Sequence, residues 1–146
     1  MPQALSQPRL DAVSGTLWVA EWSIHWHSQV ADLPPSFVVQ ATPTGCTAAA
    51  EGKTGATDFD LALRFEGQSL AAMTLQLTPP QHQDMDDQRF HASTEERVRF
   101  HAAWLRRQLN WRAPWPAVLP WGEAGVGLDK SGQAFVVLQC AGRATR

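Results

Sequence analysis

The chain has 146 residues, a formal net charge of −2 at pH 7 and a sequence pI near 6.2. This length predicts a single domain over residues 1–146, and the weakly acidic balance argues against a protein that binds nucleic acid by neutralising many phosphates. The N-terminus has neither the basic start nor the apolar core of a signal peptide, and the longest uncharged run, Leu33 to Ala50, is interrupted by Pro, Gly, Thr and Gln and predicts no membrane span. We therefore expect a cytoplasmic protein.

The first structured segment runs from Thr16 to His27, after an arm of residues 1–14 that is polar, contains proline and is expected to be loosely held. Alternation would place three tryptophans of this segment on one face of a strand, namely Trp18, Trp22 and Trp26. The same tryptophans are four residues apart, which also suits a helix. The sequence leaves strand and helix open, and the aromatic and β-branched content favours the strand.

The middle of the chain predicts a turn, a short strand and a hairpin. A turn at Asp32–Pro35 precedes a short strand at Ser36–Gln40, and the small, Gly-rich stretch Pro43–Gly55 predicts a loop or a short helix. Asp58–Thr78 is a strong hairpin, because apolar and polar residues alternate on both sides of a turn at Glu66–Ser69. One face of this hairpin is expected to be buried and the other wet.

A polar linker, Gln81–Ala92, leads into a long helix predicted from Ser93 to Leu109. Ser93 and Glu96 have the spacing of a capping box. One buried stripe is predicted, consisting of Val98, Ala102, Leu105 and Leu109. Phe100 and Trp104 form a second apolar patch, for which contact with a covering loop or the N-terminal segment is favoured over contact with a partner. Asn110 is expected to end the helix in the left-handed conformation.

The Trp- and Pro-rich stretch Trp111–Pro120 predicts a rigid, extended elbow that returns the chain to the sheet. A hairpin follows, with a turn at Asp129–Gly132 and a central strand, Ala134–Cys140, that is apolar on both faces. The whole pattern predicts an α+β fold: a mostly antiparallel β-sheet with one long helix (about 93–109) packed on one face and a C-terminal β-hairpin. Residues 141–146 are expected to be loosely ordered.

The sequence offers weak candidates for metal ligands. His25 and His27 would project from one face of a strand, where two imidazoles can share a zinc ion. Further ligands would come from His82, Asp84 or His91, none of which has a recognisable metal spacing. Exposed histidines are the favoured interpretation, so we predict no metal site and no cofactor.

The two cysteines, Cys46 and Cys140, are far apart in sequence and also lack metal spacing. In a cytosolic chain this favours free, buried thiols. The sequence leaves a disulfide between them open.

Five residues around the predicted helix are candidates for binding a partner. Asp84, Asp86 and Asp87 precede the helix without the glycine and spacing of a calcium loop, so they form either a solvated loop or an acidic patch for a basic partner. Trp111 and Trp115 follow the helix and are equally typical of interface anchors and of plugs at the edge of a small core.

Catalytic motifs are missing from the sequence. It contains no nucleophile elbow, no phosphate-binding glycine loop and no Cys/His catalytic arrangement, and the glycines at Gly122, Gly125 and Gly127 precede a hairpin rather than a helix. We therefore predict no catalytic residues and do not expect an enzyme.

Five features follow one another in order from Asp58 onward. They are Leu61-x-Leu63-x-Phe65-x-Gly67 leading to the strand Met73–Pro79, a charged linker, a helix with His101-x-x-Trp104-Leu105, the step Pro120-Trp121-Gly122, and Asp129-x-Ser131-Gly132 before a β-rich C-terminal strand. In this order they resemble small bacterial immunity proteins encoded beside polymorphic or contact-dependent toxins, such as those of type VI secretion and Rhs-type systems. The resemblance covers a little over half of the chain.

This resemblance implies an immunity or inhibitor protein that binds a cognate toxin stoichiometrically and carries no catalytic residues of its own. Two other classes stay open at this point: a metal-dependent enzyme using His25 and His27, and a structural adaptor of a secretion system. The expected partner is a toxin protein rather than nucleic acid or membrane, and the sequence does not distinguish a monomer from a homodimer.

Overall fold

The computed structural model describes residues 7–141. This part of the chain forms an α+β fold with mostly antiparallel strands, one long helix and a C-terminal β-hairpin, which confirms the predicted fold class. The strands are β1 (Arg9–Leu10), β2 (Leu17–Val19), β3 (Trp22–Ile24), β4 (Val38–Thr42), β5 (Gly45–Thr54), β6 (Thr57–Glu66), β7 (Ser69–Thr78), β8 (Ala117–Leu119), β9 (Gly122–Leu128) and β10 (Ala134–Cys140); the helices are α1 (Asp87–Ala92) and α2 (Thr94–Leu109). Residues 1–6 and 142–146, for which we expected loose order, lie outside the described residues.

Seven of the strands form one large sheet in the order β4-β5-β6-β7-β10-β9-β8, and all neighbours are antiparallel. β1, β2 and β3 form a separate small sheet. The hairpin predicted at residues 58–78 is confirmed as β6 and β7, with Asp58 opposite Thr78. β10 lies between β7 and β9, which confirms its predicted inner position.

One face of the large sheet forms the core. Its strands alternate so that large apolar side chains point to this face, including Phe59, Leu61, Leu63, Phe65, Met73, Leu75, Val136 and Leu138, each at most 2% exposed. α2 covers the end of this face near β9 and β10. The small sheet shares the covering layer, because the Trp22 ring packs against Phe37 and Phe59 with ring centroids 4.8 and 5.9 Å away.

The buried face of α2 differs from the predicted stripe. Leu105 and Leu109 are buried as expected, but Val98 and Ala102 are only half-buried, and the remaining buried residues of α2 are Arg97, His101 and Trp104. The two polar side chains are buried because they are hydrogen-bonded. His101 Nε2 accepts the backbone N–H of Leu77, and its other ring nitrogen lies 2.8 Å from the carbonyl of Arg97. The left-handed stop at Asn110 is confirmed by its φ of 53°.

The predicted capping box at Ser93 is wrong. The Ser93 side chain makes no capping hydrogen bond to α2; its hydroxyl donates to the carbonyl of Phe90 and accepts from Arg97 Nε. The reason is that the predicted linker contains α1, and Ser93 is the residue that ends it. A side-chain cap occurs at α1 instead, where the Asp86 carboxylate accepts the backbone N–H of Arg89 at 2.8 Å. Within residues 7–141, no helix is long and apolar enough to span a membrane.

The single strand predicted for residues 16–27 is instead a pair of short strands. Val19 lies opposite Trp22, and the chain reverses through Ala20, whose φ of 54° is rare for a residue with a side chain. The strand interpretation is therefore right over the helix, but the reversal divides the tryptophans. Trp26 is buried, whereas Trp18 is half-buried with the Arg9 guanidinium 4.2 Å above its ring.

The N-terminal arm is attached to the fold from residue 8 onward, in contrast to its expected loose order. Leu10 is 3% exposed, and its backbone N–H donates to Gln108 Oε1 on α2. Trp104 Nε1 donates to the carbonyl of Pro8, so the second apolar patch of the helix contacts the N-terminal segment as expected. Further along, the Trp26 ring stacks on Trp121 at a centroid distance of 5.6 Å.

Residues 45–54, predicted as a loop or short helix, form the strand β5. This strand lies between β4 and β6 and pairs with β6 along its whole length, from Gly45 opposite Glu66 to Thr54 opposite Thr57. Partners on both sides therefore stabilise a strand whose alanines and glycines have little preference for one.

The two cysteines are free thiols and are half-buried. Cys46 lies in β5 and Cys140 in β10, which are three strand spacings apart in the sheet order. That separation is roughly 14 Å, well beyond the reach of a disulfide. The disulfide that the sequence left open is therefore not formed in this fold.

Candidate functional site

The three predicted acidic residues lie at and before the start of α1. Asp86 caps this helix, Asp87 lies in its first turn, and Asp84 has a φ of 57° in the preceding loop. All three side chains are exposed. Asp86 therefore has a structural role, while the surface that the three residues share stays accessible to a partner.

The two predicted aromatic residues lie beyond the other end of α2. Trp111 and Trp115 are half-buried and pack against the core. Trp111 Nε1 donates to the carbonyl of Pro114, and the Arg106 guanidinium lies 4.5 Å above the Trp115 ring. A helix of 16 residues separates them from the acidic residues, a length of about 24 Å. The structure does not bring the two groups together.

His25 and His27 follow β3 in a turn rather than projecting from a strand. Both are exposed, their ring centroids are 6.2 Å apart, and the backbone N–H of His27 donates to His25 Nδ1. The other suggested ligands lie elsewhere, with His82 buried beside Glu96 and His91 against the carbonyl of Asp87. In the part of the chain that the structure describes, no group of three or more His, Cys, Asp or Glu side chains could hold a metal ion.

A groove crosses the face of the large sheet opposite α2, which we call the open face. Its floor consists of small residues from adjacent strands, with Ala49 opposite Ala62 and Ala62 opposite Thr74. Val38 on β4 and Phe135 on β10 form its sides. The groove has a volume of about 550 Å³ and exists because short side chains lie between longer ones.

Two carboxylates face each other at one end of this groove. Glu51 on β5 lies directly opposite Asp60 on β6, and Asp129 lies at the rim. Burial raises the pKa of Asp60, and the neighbouring charge of Glu51 raises it further. Like charges directly opposite each other on adjacent strands are destabilising.

Neither carboxylate of this pair has a cation as partner. Among residues 7–141, the ion pairs of this face are Lys53 with Asp58 at 2.5 Å and Arg64 with Glu66, so both nearby cations are already paired. The other neighbour of Asp60 across the sheet is Gln76, whose amide donates to Gln133. The pair is thus an unneutralised negative charge in a concave surface.

Sequence reasoning missed this pair because Glu51 lay in a predicted loop and Asp60 in the wet face of a hairpin. Their proximity depends on the register between β5 and β6, which no local pattern encodes. A period-two pattern does run through Cys46, Ala48 and Ala50, but alanine gives it too little contrast to be recognised.

Replacing Asp60 with asparagine is expected to raise the free energy of unfolding at pH 7 by roughly 0.2–1 kcal/mol, because it removes a like-charge cross-strand contact. Since the folded pKa of Asp60 is raised, the repulsion is present above that pKa and disappears as the pH falls toward 3.8, so the gain should vanish there. Urea unfolding across this pH range measures both effects. Glu123→Gln on β9 is the matched control, because Glu123 lies opposite Val118 and Gln139 rather than another carboxylate, and it should change the free energy of unfolding by less than about 0.5 kcal/mol.

A second, smaller cavity of about 240 Å³ lies between α1, α2 and the β9–β10 turn. The Arg97 guanidinium, in a residue 5% exposed, binds the carbonyls of Gly132 and Phe90 and stacks 3.9 Å from the Phe90 ring. These contacts tie α1, α2 and the turn together. Burial lowers the pKa of Arg97, and four hydrogen bonds to neutral oxygens hold its charge in place.

We expect the stability of the protein to fall at acidic pH through His101. Its pKa is lowered from 6.5, chiefly by burial, so the unfolded state binds the proton more readily. The contribution of neutral His101 to the free energy of unfolding is therefore fully present above pH 6.5. It is lost as the pH falls from that value toward the pKa of His101 in the folded state. Unfolding experiments between neutral and acidic pH should show a steeper loss for the wild type than for His101→Gln, which cannot titrate. Equal slopes would contradict this role.

Comparisons of the chain with protein-family models, with curated proteins and with solved structures return no match.

Proposed function

We propose that this chain is a cytoplasmic immunity protein that binds a toxin effector of a bacterial polymorphic or contact-dependent system and blocks it by stoichiometric association. The ordered motifs from Asp58 onward support the class. The observation that carries the proposal is the open face, where a groove contains two carboxylates that no cation of the described chain neutralises.

The groove supports binding of a protein with a basic surface. Its small-residue floor admits a side chain, and the Glu51–Asp60 pair would gain a cationic partner from an inserted lysine or arginine. Such a contact relieves the repulsion within the pair, so the free protein retains a destabilising feature that binding removes. Positively charged residues are common in enzymes that act on nucleic acids or phosphates, which makes a toxin of that kind a suitable partner.

The surface at the two ends of α2 remains a second proposed contact. Neutralising Asp84, Asp86 and Asp87 would mainly slow association, and Trp115→Ala would mainly speed dissociation. Because these residues lie at opposite ends of the helix, they could contact one partner only across a broad interface.

Neutralisation of toxicity tests the proposal directly. Each open reading frame that flanks the gene is expressed in a bacterial host with and without this chain. We expect one neighbour to arrest growth and this chain to restore it, with a one-to-one complex after purification. No toxic neighbour and no complex, or stoichiometric zinc in the purified protein, would reject the immunity function.

Binding kinetics then identify the face. Glu51→Gln with Asp60→Asn is expected to reduce affinity for the toxin at least tenfold and to weaken its salt dependence. Glu123→Gln, an exposed carboxylate on β9 outside the groove, is the matched control and should bind normally. If the double variant binds normally while the triple aspartate variant does not, the interface lies at α1 instead of the open face.

A further inference from the structure

The two edges of the large sheet are built differently. At one edge, β8 has three residues and lies between Pro116 and Pro120. Proline lacks the backbone N–H that another strand would need, and short edge strands offer few pairing groups. This edge is therefore protected against addition of a strand.

The opposite edge, β4, is less protected, although Pro43 directly follows its last residue. It has five residues and no strand on its outer side within residues 7–141. Val38 on one face is 65% exposed and Val39 on the other is 47% exposed. No charged residue occurs anywhere from Leu33 to Ala50, so neither β4 nor the first half of β5 carries a lysine or glutamate that would repel a second strand.

We propose that β4 pairs with β4 of a second copy of this chain, joining two seven-stranded sheets into one continuous antiparallel sheet. A two-fold axis at Gln40 places Val39 opposite Ala41 of the second copy and Val38 opposite Thr42 of the second copy. Each pair combines uncharged side chains, and the outward backbone groups of the edge strand gain hydrogen-bond partners. A two-fold contact needs such a self-complementary segment, and β4 meets that requirement along its whole length.

The predicted dimer is weak. Pairing of five-residue strands buries less surface than a standard stable interface, which corresponds to a dissociation constant on the order of 10 µM or above. Since Ser36 and Val38 also line the groove, the dimer places two grooves on one continuous face. Pairing of β4 does not depend on the proposed toxin, because it uses only this chain.

Sedimentation equilibrium over a wide protein concentration range tests the proposal. Val38→Lys puts a charged side chain opposite the uncharged Thr42 of the second copy, two residues from the two-fold axis, and should weaken the dimer at least tenfold. The matched control is Val118→Lys on β8, because Val118 is also 65% exposed and belongs to the opposite edge. Wild type and Val118→Lys should dimerise equally. A wild type that is monomeric throughout, or equal weakening by both lysines, would overturn the proposal.

Disulfide formation gives an independent test of the register. In a background of Cys46→Ala and Cys140→Ala, Gln40→Cys places two thiols at the axis, where the expected Cα separation of roughly 4.5–5.5 Å suits a disulfide. Mild oxidation should give a covalent dimer of Gln40→Cys but not of Val118→Cys. Equal cross-linking of both variants, or of neither, would reject this arrangement.

Discussion

Replacing Trp121 with alanine is expected to lower the free energy of unfolding by roughly 3–5 kcal/mol, the range for removing a large aromatic side chain from a core. Trp121 is 9% exposed, and its ring stacks on Trp26 at an interplanar angle of 27°. Its Nε1 donates to the carbonyl of Ala12 at 3.0 Å. Gly15 lies so close to the stack that a Cβ there would be 2.8 Å from the Trp121 ring, so the space cannot collapse without moving that turn.

Urea unfolding followed by circular dichroism measures this loss. Trp121→Phe keeps an aromatic ring but removes the hydrogen bond to Ala12. We expect it to lower the free energy of unfolding less than Trp121→Ala does. The lost hydrogen bond accounts for roughly 0.5–1.5 kcal/mol, and the smaller ring adds to it. Trp111→Ala, at a half-buried position, controls for removal of a tryptophan as such. If Trp121→Ala lowers stability no more than Trp111→Ala, the N-terminal segment does not depend on this contact.

Replacing Leu105 with alanine is expected to lower the free energy of unfolding by roughly 2–5 kcal/mol. Leu105 is fully buried on α2, which packs against β9 and β10. Val98 lies on the same predicted stripe but is only half-buried. Val98→Ala should therefore have a clearly smaller effect, and denaturant unfolding of the two variants compares the two registers. Similar losses at the two positions would support the stripe predicted from sequence over the face seen in the structure.

The difference in register shows what hydrophobic periodicity can predict. The existence, length and left-handed end of α2 follow from the sequence, because apolar spacing and Asn110 are local signals. Its buried face does not, because Arg97 and His101 are buried polar residues. A pattern that counts only apolar residues treats both as solvent-exposed. Their burial depends on acceptors and donors at Gly132 and Leu77, which are distant in sequence.

Strand predictions succeeded where side-chain contrast was strong and were wrong where it was weak. Residues 58–78 alternate large apolar with polar side chains, and the hairpin was predicted with nearly correct ends. β5 has alanines and glycines on both faces, so its own sequence gives no strand pattern. It is recognised as a strand only from its pairing with β4 and β6 in the structure. The segment from Thr16 to His27 has strong contrast, but its reversal at Ala20 lacks the glycine or asparagine that marks most such turns.

The carboxylate pair on the open face could not be predicted from the sequence alone. The carboxylates at Glu51 and Asp60 are nine residues apart in different strands and meet only in the correct register. The predicted partner-binding residues, in contrast, formed local clusters that were easy to recognise. A site built across strands is therefore harder to predict than one built along a single loop.

The attachment of the N-terminal segment has a consequence for synthesis of the chain. The bond between Trp121 and Ala12 joins residues 109 positions apart, and Leu10 and Trp104 depend on contacts of similar span. A chain emerging from the ribosome therefore exposes Leu10 and Trp26 until α2 and Trp121 have also been translated. Such late closure is typical of folds that mature slowly and need protection while incomplete. The segment around Leu10 and Ala12 is therefore made well before its partners on α2 and at Trp121, and it folds into place after them.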